Sequence, residues 1–235
     1  LGNAKLMADR DIEARGLSDI ADIMAPQGKT PMFVAVDGRP AGVVAVADTV
    51  KEDSKAAVAA LKGMGIEVIM LTGDNRRTAE AIAAEVGVDR VLAEVLPEQK
   101  ADEVMKLQAE GKTVAMVGDG INDAPALARA DVGLAIGTGT DVAIEASDIT
   151  LIKGSLMGVV MAIDISRATM RNVRQNLAGA FGYNILGVPV AMGILYPFFG
   201  ILLSPILAGA AMAFSSVTVA TNANRLRLFK PKGAR

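Results

Sequence analysis

The sequence has no cysteine and no histidine. The first absence excludes disulfides and cysteine metal ligands. The second removes the side chain that most often acts as a general base near neutral pH. A third absence is local: residues 175–224 contain no Asp, Glu, Lys or Arg. As a helix, that stretch would extend about 75 Å against a hydrocarbon core of about 30 Å, room for two crossings and a short turn. The acids also run out. Beyond Asp164 the only charges are Arg167, Arg171, Arg174, Arg225, Arg227, Lys230, Lys232 and Arg235, so the net −2 conceals −10 over the first 164 residues and +8 over the rest. An acidic soluble part is joined to a basic part of a different nature.

Basic clusters flank both outer ends of the uncharged stretch, and the positive-inside rule puts both in the cytoplasm. The turn is expected around Tyr196-Pro197-Phe198-Phe199-Gly200, whose aromatics suit the interface. A buried soluble hairpin fits the length and the lack of charge less well. Asp9, Arg10, Asp11 and Glu13 interrupt any apolar run at the start, so no secretory signal is expected. With 235 residues there is room for more than one domain.

In chain order, a first helix with Gly16 near a boundary is expected before a hairpin. The runs 32–36 and 41–46 flank Asp37-Gly38-Arg39-Pro40, a hairpin signal. Gly28-Lys29-Thr30 resembles the end of a phosphate-binding P-loop, but Ile23 stands where that loop needs glycine. From Asp48 the pattern alternates. Helices are expected over 52–62, over 76–86 with a stop at Gly87, and from Pro97 to near Gly111. Strands are expected over 66–71, 91–93, 113–117, 132–136 and 149–152. Repeated units of this length predict a parallel sheet covered on both faces. Gly137-Thr138-Gly139-Thr140-Asp141 lacks the third glycine of a dinucleotide loop and reads as a turn. Residues 155–174 read as a helix, able to carry motion into the first membrane segment or to lie at the lipid headgroups.

The stretch around which the rest is organised is Val114-Ala115-Met116-Val117-Gly118-Asp119-Gly120-Ile121-Asn122-Asp123-Ala124-Pro125-Ala126-Leu127. A β-prone run ends in a glycine turn, followed by two carboxylates and a helical segment. Ligands of open α/β sheets bind beyond the carboxyl ends of the parallel strands, which places Asp119 and Asp123 at that rim. Asn122 is positioned to cap the new helix. Two carboxylates this close repel, and a hard cation such as Mg2+ relieves that repulsion with one or two carboxylates plus phosphate oxygens. A calcium loop fails because Ile121 stands where an oxygen ligand is needed. A second strand end, Thr72-Gly73-Asp74, offers a hydroxyl and backbone N–H groups to a phosphoryl oxygen. Lys100 supplies a positive charge. Taken singly, each of these reads as a turn, a cap or a solvated side chain.

Gly118 to Leu127 reads GDGINDAPAL, which resembles the hinge signature of P-type ATPases within the haloacid-dehalogenase-like group. Thr72, Lys100 and Asp119 occur in the order of that group's motifs. The resemblance implies an α/β haloacid-dehalogenase-like, Rossmann-like phosphorylation domain at 48–154, preceded at 1–47 by the end of an α+β nucleotide-binding domain. It implies a linker helix and the last two transmembrane helices at 155–235, with spans near 175–195 and 200–222. By the same resemblance, Asp119 ligates Mg2+ with support from Asp123, Thr72 with Gly73 and Lys100 hold the phosphoryl group, Asn122 braces the loop, and Asp74 orders the site. Gly2 and Asn3 match a glycine-asparagine pair that contacts ATP, although a helix cap accounts for Asn3 nearly as well. The sequence also departs from the family. The phosphorylated Asp-Lys-Thr-Gly sequence, the histidine-proline pair and a Cys-Pro-Cys-type helix are all missing, so the chain alone is expected to be inactive and to resemble the C-terminal third of such a pump.

Met212 and Ser216 are spaced to share one helix face, and a thioether favours Cu+ over Ca2+ or Mg2+. The uncharged stretch offers no carboxylate to a hard ion. Packing or lipid contact is the ordinary role of a membrane methionine, and the small residues Gly209, Ala210, Ala211, Ala213 and Ser215 suit close helix packing. Tyr183-Asn184 followed by Met212 and Ser216 resembles the last two helices of copper-transporting members, whereas zinc and cadmium members carry an acid in the last helix. The implied cargo is Cu+, with Ag+ second. The implied partners are the lipid bilayer, the N-terminal remainder of the pump and a soluble copper chaperone, with no nucleic acid. The implied location is a plasma or bacterial inner membrane, crossed several times, with cytoplasmic soluble domains. A membrane-anchored haloacid-dehalogenase-like phosphatase and a non-catalytic membrane subunit are the alternatives.

Overall fold

The computed structural model describes residues 1–13, 15–24, 29–46, 50–137 and 141–231. The P-loop-like Gly28, the expected boundary near residue 47 and Thr138 to Thr140 lie outside them. The chain divides into two units, Leu1–Val160 and Met161–Arg235.

The first unit opens with α1 (Ala4–Asp9), α2 (Arg15–Met24) and the antiparallel pair β1 (Thr30–Val36) and β2 (Arg39–Val46). Asp37 and Gly38 form its two-residue turn, both at positive φ, 50° and 76°. A tight hairpin needs that left-handed pair to match strand twist, which is why an Asp-Gly dipeptide marks it. Met7, Ala21 and Phe33 make a small core. Gly16, expected near a boundary, is the second residue of α2, next to its start.

An α/β region follows: α3 (Ser54–Gly63), β3 (Ile69–Leu71), α4 (Arg76–Val86), β4 (Arg90–Leu92), α5 (Lys100–Ala109), β5 (Ala115–Gly118), α6 (Ala124–Arg129), β6 (Val132–Ile136), α7 (Asp141–Glu145) and β7 (Ile149–Leu151). All its strand pairs are parallel. Among the described residues they form two sheets, β3–β4 and β5–β6–β7, rather than one. Helix α4 packs on β4, and α6 on β5 and β6. Gly133 in β6 lets α6 approach closely, since a Cβ there would sit 2.7 Å from the Leu127 carbonyl oxygen.

One device sets the register three times. Asp89, Asp131 and Asp148 each precede a strand, and each carboxylate accepts the backbone N–H of the neighbouring strand: Val68 at 2.9 Å, Val114 at 2.8 Å and Gly133 at 2.8 Å. The N–H of the same aspartate donates to the carbonyl of that same neighbour. The sequence repeats as Asp-x-x-Leu at Asp89–Leu92, Asp131–Leu134 and Asp148–Leu151. These clips hold strands of three to five residues that backbone pairing alone would hold weakly. The N–H of Val114 holds Asp131 below the ordinary carboxylate range, and Lys62, with Val68, does so for Asp89. The clip at Val68 also explains why β3 starts at Ile69 rather than at Ile66.

Helix α8 (Met157–Ala191) starts in the first unit and runs unbroken into the second. The helix expected over 155–174 and the first apolar segment are one helix of 35 residues. A short α9 (Tyr196–Phe199) occupies the expected turn, and α10 (Pro205–Asn224) follows. Its start is five residues later than expected because Pro205 takes the first helical position and Ser204 caps it. Among the described residues one helix is long and apolar enough to cross a membrane, Pro205–Leu228, and none of it is buried in the chain. Ile206, Leu207, Met212, Phe214 and Val217 are all exposed, an apolar surface too large to leave in water. Asparagines tie α8 to α10. Asn172 donates to the Asn222 carbonyl at 2.7 Å, Asn222 to Asn176 at 2.8 Å, and Asn176 to Asn172 at 3.1 Å.

Candidate active site

Strand β5 ends at Gly118, and the chain turns through Asp119 and Gly120 into a 3-10 turn, Ile121–Asp123, that opens α6. The Asp123 carboxylate folds back beneath this turn. One oxygen accepts the N–H groups of Asp119 and Gly120, both at 3.3 Å, and the other accepts Lys100 Nζ at 2.6 Å. Asp123 is 9% exposed, so both its charge and its hydrogen-bonding capacity are met by protein. Asn122, expected as the cap, is exposed; Asp123 takes the N-cap position of α6, and its side chain reaches back to the N–H groups of Asp119 and Gly120 instead of bonding the first turn of the helix. Lys100 decides between them, because only the side chain at 123 meets both the ammonium and the turn amides.

Gly118 is required by this arrangement. A Cβ there would lie 2.6 Å from Asp123 Cβ and 2.8 Å from Asp123 Oδ2. Gly118→Ala is therefore expected to cost about 1–3 kcal/mol through overpacking and to loosen the Lys100–Asp123 pair. Thermal melts of the purified protein check this, and an unchanged midpoint would count against it.

Asp119 differs from Asp123. It is exposed at the rim, and among the described residues its carboxylate accepts no protein hydrogen bond. No group of three or more acidic side chains is gathered there or elsewhere among the described residues. This donor set fits Mg2+, which takes one or two carboxylates and fills its octahedron with water and phosphate oxygens.

Thr72 follows β3 and extends its pairing, its N–H donating to the Leu92 carbonyl at 2.9 Å. Its hydroxyl donates to Asp74 at 3.0 Å and accepts the Asp74 N–H at 3.1 Å. Gly73 is exposed at the tip. The cap of α4 is Asn75, which accepts the Thr78 N–H at 3.0 Å, rather than Asp74. The strand end is tied to the segment leading to Lys100: the Val95 N–H donates to the Thr72 carbonyl at 3.1 Å, and the Glu94 N–H to the Asp74 carbonyl at 2.9 Å. Glu94 holds a left-handed φ of 61°, uncommon for a residue with a side chain. Nothing in the sequence marks it. Lys100, Asp119 and Asp123 are thus joined directly, and Thr72 and Asp74 through the 94–100 connection.

Residues 1–131 match the haloacid dehalogenase-like hydrolase family. The chain belongs to the haloacid dehalogenase-like hydrolases. Within them it is homologous to P-type ATPases, which are ion-translocating ATP hydrolases. It is 59% identical to a probable copper-transporting ATPase of Synechococcus elongatus, over 99% of this chain and 31% of that protein. It is 56% identical to a copper-exporting P-type ATPase of Bacillus subtilis, over 98% of this chain and 28% of that one. The crystal structure of a zinc-transporting PIB-type ATPase in its E2.Pi state superposes with a TM-score of 0.74 at 38% identity, covering 91% of this chain and 34% of that one. The chain therefore spans about a third of the length of these P-type ATPases.

Gly2 bridges to Phe33, and Asn3 accepts the Leu6 N–H at 2.9 Å as the cap of α1. In the second unit, Tyr183 lines a cleft of about 470 Å³ between α8 and α10 with Gln175, Asn176, Ser215, Thr218 and Asn222. Asn184 donates to the Ala180 carbonyl at 2.8 Å and Ser216 to the Met212 carbonyl at 3.2 Å. Such back-bonding satisfies polar groups on an apolar helix. Met212 is 72% exposed. The side-chain amides of the cleft, Gln175, Asn176 and Asn222, were not among the sequence candidates; their signal is a run of amides where the charges stop.

Proposed function

We propose that this chain is part of an ATP-driven Cu+ export pump that works through an aspartyl-phosphate carried on an aspartate outside it. The observation that carries the phosphoryl-transfer half is the division of labour at β5, where Asp123 is occupied by Lys100 and the Asp119 carboxylate, at a strand end, has no partner among the described residues. In this reading residues 48–154 form most of the phosphorylation domain, 1–47 the end of the nucleotide-binding domain, and 155–235 the linker and last two membrane helices. Gly2 and Asn3 contribute to the nucleotide site.

Asp119 holds Mg2+ with Asp123 as its buttress. When bound, the ion supplies positive charge to the transferring phosphoryl oxygens. Lys100, oriented by Asp123, presents its remaining N–H bonds to the same oxygens. The Thr72 hydroxyl, its one O–H turning from Asp74 to the phosphoryl oxygen, and the backbone at Gly73 close on that group from the end of β3, while the Asp74 N–H continues to hold Thr72 Oγ1. Asn122 stands at the loop's outer edge. Catalysis here is positioning and charge stabilisation, which is what a loose phosphoryl-transfer transition state requires.

The cargo reading rests on donor chemistry and on the copper named in the relatives. The apolar helices hold no carboxylate, and Met212 offers a soft sulfur. Tyr183, Asn184, Met212 and Ser216 are the contribution of this chain to a Cu+ site completed by other helices, with Ag+ as an alternative cargo. The exposed apolar face of α10 meets lipid or those helices, and a soluble copper chaperone is the proposed donor. The test is ATP hydrolysis by the full-length protein in lipid with Cu+, Ag+, Zn2+ and Cd2+ supplied singly. Stimulation by Cu+ and Ag+, reduced about tenfold or more in Met212→Ala, is the expected outcome. Stimulation by Zn2+ alone would discard the cargo assignment, and no stimulation by any metal would discard the pump.

A further inference from the structure

We propose that Lys51 and Asp53 are positioning residues that latch the foot of α8 to the soluble unit and thereby couple the phosphoryl site to the apolar helices. The proposal rests on the pump reading above.

The latch joins two segments about a hundred residues apart. The Asp53 carboxylate accepts the Ser155 hydroxyl and, at 3.3 Å, the Met157 N–H that opens α8. Ser155 Oγ accepts the same N–H at 3.2 Å. From the other side, Lys51 Nζ donates to the Gly154 carbonyl at 2.8 Å. An acid at the helix N-terminus also complements the helix dipole. The Ser155 hydroxyl and the Met157 N–H hold the Asp53 carboxyl below its ordinary range, against the opposing pull of burial.

What lies next to the latch makes it more than a cap. Val159 and Val160, in the first turn of α8, are 3% and 0% exposed, so the foot belongs to the soluble core. Gly158 faces Leu151 of β7, with a Cβ position 3.4 Å from its side chain. Strand β7 lies in the same parallel sheet as β5, two strands over, so α8 leaves that sheet at the end where Asp119 sits. At about 4.8 Å per strand, the two exits are about 10 Å apart. From this foot the helix runs without a break to Ala191. A shift of the β5 rim on phosphorylation therefore reaches α8 through one sheet, and Lys51 and Asp53 keep the joint from yielding.

The test uses the full-length protein in lipid vesicles as wild type, Lys51→Ala, Asp53→Ala and Asp53→Asn. Three quantities are read: phosphoenzyme formed from ATP, metal ions moved per ATP hydrolysed, and amide hydrogen exchange over residues 155–160. Asp53→Ala and Lys51→Ala are expected to keep phosphoenzyme within roughly twofold of wild type and to lose about tenfold in ions per ATP, with faster exchange at the foot. Asp53→Asn retains an acceptor for the Met157 N–H and restores most of the ratio. Unchanged coupling in Asp53→Ala overturns the proposal. So does an equal fall in phosphoenzyme and transport, which is the mark of plain destabilisation. If the wild type itself moves no metal, the pump reading fails separately and the exchange measurement decides: faster exchange in Asp53→Ala upholds the latch, and unchanged exchange overturns it.

Discussion

Asp119→Ala in the intact pump is expected to lower phosphoenzyme formation from ATP by about a thousandfold or more, on the order of 4 kcal/mol of transition-state stabilisation. The physical basis is the contrast between the two carboxylates. Asp123 is held by Lys100 and two backbone N–H groups, whereas the Asp119 carboxylate has no protein partner among the described residues and stands at the rim. In the proposed reading its removal takes a metal ligand from the site; it takes almost nothing from the fold, so stability should change by no more than about 0.5 kcal/mol. Labelling with radioactive ATP and a thermal melt on the same preparation check both halves. Normal labelling would remove Asp119 from the site. Lost labelling with a collapsed melting transition would make it structural. Asp119→Asn, which keeps a weaker oxygen ligand, should recover part of the labelling at high Mg2+.

The elements legible in the sequence are those whose ends are set by neighbours in the chain. Helix α4 starts and stops where Asn75 and Gly87 place it, the left-handed Gly87 closing it at φ 81°. Pro97 opens a 3-10 turn ahead of α5, and Asp37-Gly38 makes the hairpin. The turn of the GDGINDAPAL stretch was legible for the same reason: signature and turn are one local object. What stayed hidden depends on distant partners. Asn122 and Asp123 are about equal as caps by local rules, yet Lys100, 23 positions away, binds Asp123. Strand β3 is shorter than its apolar run because Asp89, 21 positions on, claims the N–H of Val68. The stop of charge at Gln175 marks where the surroundings change and says nothing of where a helix breaks, so α8 runs straight through it. The Asp53–Ser155 contact, 102 positions apart, leaves no trace in any local pattern.

Lys100→Met is expected to reduce phosphoenzyme formation by about 10²- to 10⁴-fold, the range for removing a positioned charge from a phosphoryl-transfer site. It should also destabilise the domain, because Asp123 is left with its charge and only the two long backbone hydrogen bonds. Breaking a fully buried pair costs about 3–5 kcal/mol. Here the side chains are 17% and 13% exposed, so solvent screening brings the expectation down to about 1–3 kcal/mol. These two effects are separable. Asp123→Leu placed on Lys100→Met removes the orphaned charge, and the stability of the pair of substitutions should exceed the sum of the singles by about 1 kcal/mol or more. Activity should not return with it, since the ammonium that the proposed function aims at the phosphoryl oxygens is still missing. If the double substitution does recover phosphorylation, Lys100 serves only to neutralise Asp123. If stabilities simply add, the 2.6 Å contact contributes little, and the buttress for Asp119 must lie in the backbone of the turn.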